Sequence, residues 1–163
     1  MSKPLMVHVI TNFAGVGGAE MLLARLIQQT EHDYQHVIIA LMKTSEVYQS
    51  TLERCQSHYA LGWNGLNTLS TVSKLRALLK KLQPATVQCW MYHANALTSL
   101  SVIGLAKKPK VVWGIHHSLA SPKDESISTK IALGISKILS QQPSAIIYCA
   151  HSSMQQHQAF GFK

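Results

Sequence analysis

Acidic residues are scarce in this chain. Seven Asp and Glu stand against fifteen Lys and Arg, and none lies between Arg54 and Lys123. Without an HExxH motif or a carboxylate-rich stretch near the histidines, no metal site is expected. A trio of His93, His116 and His151 is the one cluster that can be imagined. Cysteine is scarce too: Cys55, Cys89 and Cys149 are scattered, odd in number and form no CxxC, which suits reduced, partly buried thiols. No apolar run approaches the roughly 20 residues that a membrane span needs. The opening "MSKPLMVHVI" has no signal-peptide pattern, so a cytoplasmic protein is expected.

What is present points to one globular domain. The chain has 163 residues, 47% hydrophobic and only 13% charged, which excludes a disordered chain. Its net charge of +8 favours acidic partners such as phosphorylated substrates, anionic lipid headgroups or nucleic acid. A merely soluble basic surface accounts for the charge equally well. No nucleic-acid reader motif or aromatic-interleaved basic strip accompanies it, so no nucleic acid is expected as a partner.

Short apolar runs alternate with helical patterns. Strands are expected at 5–10, 36–42, 58–61, 86–91, 110–115 and 144–150, rich in β-branched residues. Helical patterns cover 18–29, 45–56, 67–82, about 94–106 and 126–141, with a last one from Ser152. The clearest is 67–82, where Leu69, Val72, Leu75, Leu78, Leu79 and Leu82 recur at helical spacing before Pro84. This alternation predicts an α/β domain, doubly wound, with a mainly parallel sheet and helices on both faces. Ligands of such sheets bind outside the carboxyl ends of the strands. The residues there are "TNFAGVGG", "YHAN", "HHS" and "HSS", polar and glycine-rich where a plain turn would be filler.

The turn "GVGGAE" fails both nucleotide fingerprints. Glu20 replaces the third glycine of a dinucleotide turn, the ribose-binding acid is missing at Lys43 and Thr44, and no G-K-[ST] is present. What remains is a short glycine turn, with Gly17 and Gly18 at a helix start, whose free N–H groups could face a phosphate or a sugar hydroxyl. His116 ends an apolar strand, where an imidazole can act as acid, base or hydrogen-bond donor. His93 and Asn95 open a helix; Asn95 either caps it or meets a ligand. Lys74, Arg76, Lys80 and Lys81 form a basic set on the helix 67–82. Such a set is either a solvated face or a contact with an anionic membrane.

Four passages, in order, resemble the N-terminal half of a family 4 retaining glycosyltransferase of the GT-B architecture. They are "GVGGAEMLLARL", "LRALLKKLQPATVQCWMYHANAL", "VVWGIHHS" and "IIYCAHSSMQQHQAFGF". The resemblance implies a Rossmann-like half of the GT-B fold spanning 1–163, with a nucleotide-sugar donor and a glycan or lipid-linked acceptor. Gly17 and Gly18 would face the donor's phosphate or the transferred sugar. His116 would be the catalytic histidine beside that sugar, and His93, Asn95 and Ser118 acceptor-side residues. The family uses no metal. The expected setting is cell-surface polysaccharide or lipopolysaccharide assembly at the inner face of the cytoplasmic membrane. The C-terminal nucleotide-sugar-binding domain is absent from the 163 residues, so the chain alone is expected to be inactive. The alternative is a non-catalytic phospho-ligand or nucleotide-binding module. The transferase reading requires the glycine turn and His116 to share one crevice.

Overall fold

The computed structural model describes residues 3–163. Its strands are β1 (Leu5–Ile10), β2 (Gln35–Ala40), β3 (Ser57–Ala60), β4 (Thr86–Trp90), β5 (Lys110–Ile115) and β6 (Ala145–Tyr148). Its helices are α1 (Gly18–Thr30), α2 (Gln49–Glu53), α3 (Thr68–Leu82), α4 (Tyr92–Val102), α5 (Ile127–Leu139) and α6 (His151–Phe160). The strands form a single sheet in the order β3-β2-β1-β4-β5-β6. Every neighbouring pair is parallel. The doubly wound α/β arrangement is therefore the one expected.

Side chains alternate across the sheet and divide the core in two. Val7, Val9, Val37, Ile39, Val87, Cys89, Val111, Trp113 and Ile115 pack with Leu75 and Leu79 of α3, Leu97 of α4, and Ala132 and Leu133 of α5. Ile10, Ile38, Ala40 and Trp90 point the other way, onto Leu23 and Ile27 of α1 and Leu52 of α2. Both faces are apolar because both are covered. Helix α3 buries Thr71, Leu75 and Leu79 along one stripe and stops where Gln83 turns left-handed before Pro84.

The strand order reverses between β1 and β4, and α4 follows β4 there. This helix starts at Tyr92 and ends at Val102, whereas the sequence pattern suggested about 94–106. The cap is Met91, with φ 73° and ψ 169°, a conformation normally reserved for glycine. Asn95 is therefore not a cap; it lies inside the first turn and is fully buried. At the other end Ile103 is extended and Gly104 has φ 69°, which stops the helix before Leu105 and Ala106. Arg76 donates to the carbonyls of Ser101 (3.0 Å), Ile103 and Gly104 (3.3 Å), satisfying orphan acceptors at this helix end.

The face toward α1 and α2 also buries His8 and His36, whose Nε2 and Nδ1 atoms are 3.0 Å apart. Burial, helped by the neighbouring His36, pushes the His8 imidazole down from 6.5 to about 3. Between those values the unfolded chain binds a proton that the folded chain refuses. The stability contributed by a neutral His8 is thus complete above about pH 6.5 and is lost as pH falls toward 3. The urea midpoint of the chain is expected to drop steadily from pH 6.5 to pH 4, and His8→Gln, which cannot titrate, to flatten that slope. A wild-type midpoint that stays level across this range would contradict a neutral, buried His8.

Candidate functional site

The loop after β1 is anchored at its start and arched at its tip. Phe13 is fully buried, stacked on Tyr48 at 4.1 Å between ring centroids, and its N–H donates to the Lys43 carbonyl at 2.9 Å. The Tyr48 hydroxyl then donates to the Gly15 carbonyl at 3.0 Å. Pinned in this way, "GVGG" rises over the sheet edge, with Val16 three-quarters exposed (75%). Gly17 caps α1 in an extended conformation. A Cβ there would stand 2.5 Å from Oε2 of Glu20, so the Glu20 carboxylate folds back against the start of its own helix.

A cavity of about 280 Å³ opens beside this corner, at the reversal point. Its lining includes Thr11, Asn12, Gly18, Glu20, Met91 and His116, with Ile10 and Trp90 at its floor. The glycine turn and His116 therefore share one crevice. Gly18 reaches it, while Gly17 stands behind Glu20. Three polar atoms of these lining residues are buried without a hydrogen-bond partner: Thr11 Oγ1, Asn12 Oδ1 and His116 Nε2. Buried polar atoms are nearly always paired, so such a group in a cavity marks a place for a polar ligand or water.

The His116 ring lies flat on Trp90, with centroids 5.2 Å apart and an interplanar angle of 18°. Burial pushes its pKa below the ordinary value, which favours the neutral imidazole. It fits only because Gly114 has no side chain: a Cβ there would stand 3.0 Å from His116 Nε2 and 3.1 Å from the Cys89 carbonyl oxygen. The next residue, His117, is turned away and pairs with Glu125 at 2.7 Å, fastening the loop between β5 and α5.

The three acceptor-side candidates are not gathered around this cavity. His93 contacts Trp63 at 5.1 Å between centroids and lines a second, apolar cavity of about 170 Å³ with Leu97, Ile131 and Ile135. Burial lowers the His93 pKa, partly offset by the Ser128 backbone. Asn95 is sealed inside α4, with both amide atoms unpartnered. Ser118 is exposed, and its hydroxyl donates to Gln156 Oε1 at 2.9 Å, tying the loop to α6. The basic set is divided as well: Lys74, Lys80 and Lys81 are exposed, but Arg76 is spent on the end of α4. Among the described residues, no three His, Cys, Asp or Glu side chains come close enough to hold a metal ion. Nor is any described helix long and apolar enough to cross a membrane. The three cysteines are free, and burial pushes the Cys55 and Cys89 thiols up to about 12.

Sequence reasoning singled out Gly18 and His116; Thr11 and Asn12 entered it only within the rim stretch "TNFAGVGG", and Trp90 and Met91 were not placed on the rim. Thr11 and Asn12 directly follow β1, Trp90 ends β4 and Met91 directly follows it, so the positional rule for strand ends points to all of them.

A family model described as Glycosyltransferase Family 4 matches residues 16–163. Among solved structures, Anabaena Alr3699/HepE in complex with UDP is similar, with a TM-score of 0.68 at 14% identity over 97% of this chain. The same Anabaena protein with UDP and glucose gives 0.69 at 14% identity over 96%. A short-chain dehydrogenase/reductase from Burkholderia vietnamiensis gives 0.50 at 14% identity, covering 94% of this chain and 89% of that one. At these identities the likeness is one of fold. The chain spans 41% of the length of the Anabaena protein, or about two fifths. No curated protein matches the sequence.

The Gly114 contacts generate a test of the site's construction. Gly114→Ala is expected to keep the fold, at a cost of about 1–3 kcal/mol from overpacking, and to push the His116 ring off Trp90. Urea unfolding and the ring resonances of His116 read the two effects. Wild-type stability together with unmoved His116 resonances would contradict the contact.

Proposed function

Because the chain belongs to glycosyltransferase family 4, we propose that it is the N-terminal, acceptor-side half of a two-domain GT-B enzyme. The enzyme moves a sugar from a nucleotide-sugar donor to a glycan or lipid-linked acceptor. The observation that carries this reading is the shared crevice of Gly18, Glu20, Asn12 and His116, with its unpartnered polar atoms. At about 280 Å³ it lies at the small end of ligand pockets, a size that suits one sugar ring better than a whole nucleotide sugar.

The chemistry of the lining supports the same division. Glu20 neutralises the positive end of α1 and would repel a phosphate, but its carboxylate accepts hydrogen bonds from sugar hydroxyls. Thus, of the two ligands suggested for the glycine turn, the transferred sugar is favoured here, and the diphosphate belongs to the second domain. A neutral His116 has one donor and one acceptor nitrogen. Held beside the sugar, it stabilises charge as the bond to the nucleotide breaks. On the acceptor side Ser118 is exposed and His93 is half-buried with its Nε2 unpartnered, whereas a fully buried Asn95 has no route to a ligand. Exposed Lys74, Lys80 and Lys81 would meet the anionic inner face of the cytoplasmic membrane, in cell-surface polysaccharide or lipopolysaccharide assembly.

In the complete polypeptide, His116→Ala is expected to lower sugar transfer by about 10²-fold or more, the usual effect of losing one preorganised donor, with little change in melting temperature. The 163-residue chain alone is expected to transfer none. Unchanged turnover in His116→Ala, or turnover by the chain alone, would contradict the assignment; radiolabelled sugar incorporation measures both.

A further inference from the structure

Three rings climb diagonally across the sheet to His116, the fourth. His36 on β2 is in register with Met6, and His8 stands two residues further along β1. His8 is in register with Gln88, and Trp90 stands two residues further along β4. Trp90 is in register with Gly114, and His116 follows two residues later, just past β5. The offset is the same at each step, so all four side chains fall on the α1–α2 face. Successive ring centroids are 5.2, 6.1 and 5.2 Å apart. His36, His8 and Trp90 are each at most 1% exposed.

The hydrogen bonds along this stair run in one direction only. An indole N–H donates and never accepts, so Trp90 Nε1 donates to His8 Nδ1 at 3.4 Å. The His8 proton must then sit on Nε2, which donates to His36 Nδ1 at 3.0 Å. The His36 proton in turn sits on Nε2 and meets Thr30 Oγ1 at 3.1 Å. The Thr30 hydroxyl ends the chain on the Leu26 carbonyl at 2.6 Å, inside α1. A proton added to His8 Nδ1 would set two donors face to face. Desolvation of both imidazoles works against that proton.

His116 has no comparable hold of its own. Among the described residues no hydrogen bond reaches its Nε2, and the bare Gly114 lies beneath it. The flat contact on Trp90 is what orients the ring. We infer that His36, His8 and Trp90 are positioning residues for His116: their hydrogen-bond chain, tied to α1, locks the indole plane on which the imidazole lies. This rests on the sugar-transfer reading for its purpose, since the same α1 also carries Gly18 into the crevice. One rigid element thereby sets both walls of the site.

The experiment uses the 163-residue chain, nitrogen-labelled at histidine, and needs no sugar. Ring nitrogen shifts are expected to put the proton on Nε2 in both His8 and His36; a proton on Nδ1 of His8 overturns the proposal without any variant. His8→Leu, which does not touch His116, is expected to remove the upfield shift that the stacked indole imposes on the His116 ring protons. His8→Gln supplies both an acceptor and a donor, and is expected to retain that shift. If His8→Leu does not fold, His36→Leu removes the same anchor one step further out and is expected to weaken the same shift. Unmoved His116 protons in a folded leucine variant overturn the proposal, as does a Gln variant that behaves like Leu. Because no donor sugar enters, these readouts are independent of whether the sugar-transfer reading holds.

Discussion

A doubly wound sheet must reverse its strand order somewhere, and here it does so between β1 and β4. The helices on either side of that line go to opposite faces, so their starts diverge and leave a gap at the carboxyl edge. The parts of the candidate site sit around this gap. The glycine corner comes from the β1 side, Trp90 and Met91 from β4, and His116 from one strand further on. Met91 marks the strain of the reversal, because α4 has to begin at once where β4 ends.

The same face that lines the gap must also be buried against α1 and α2. Apolar residues meet that demand at Ile10, Ile38 and Ala40, but His8 and His36 do not. Their cost is offset by pairing every ring nitrogen within the stair, from Trp90 to Thr30. A hydrophobic pair would fill the same space without a direction. The histidines add a direction, and with it a fixed orientation for the indole under His116.

Much of the fold is legible in the sequence because parallel strands buried on both faces are continuous apolar runs. "LMVHVI" and "KVVWGI" were bounded to the residue, and most other element bounds lie within two residues. The exceptions are α2, shorter at both ends than the 45–56 pattern, and the end of α4, which Ile103 and Gly104 close four residues before the expected 106. Gly18 and His116 were legible from position at strand ends. Arg76 was not, since its guanidinium is claimed by carbonyls of another helix, 25 to 28 residues away in sequence. Nor were the partners of His8 and Trp90, which depend on strand order and register; in isolation each looks like an ordinary core residue.

The central claim is that the crevice between α1 and His116 holds the transferred sugar. The most direct measurement is a crystal structure of the proposed two-domain enzyme with its nucleotide-sugar donor bound. A sugar ring is expected between the start of α1 and His116, with its hydroxyls on Asn12 and Glu20 and the diphosphate outside the crevice. A sugar bound elsewhere while this crevice holds only water would contradict it.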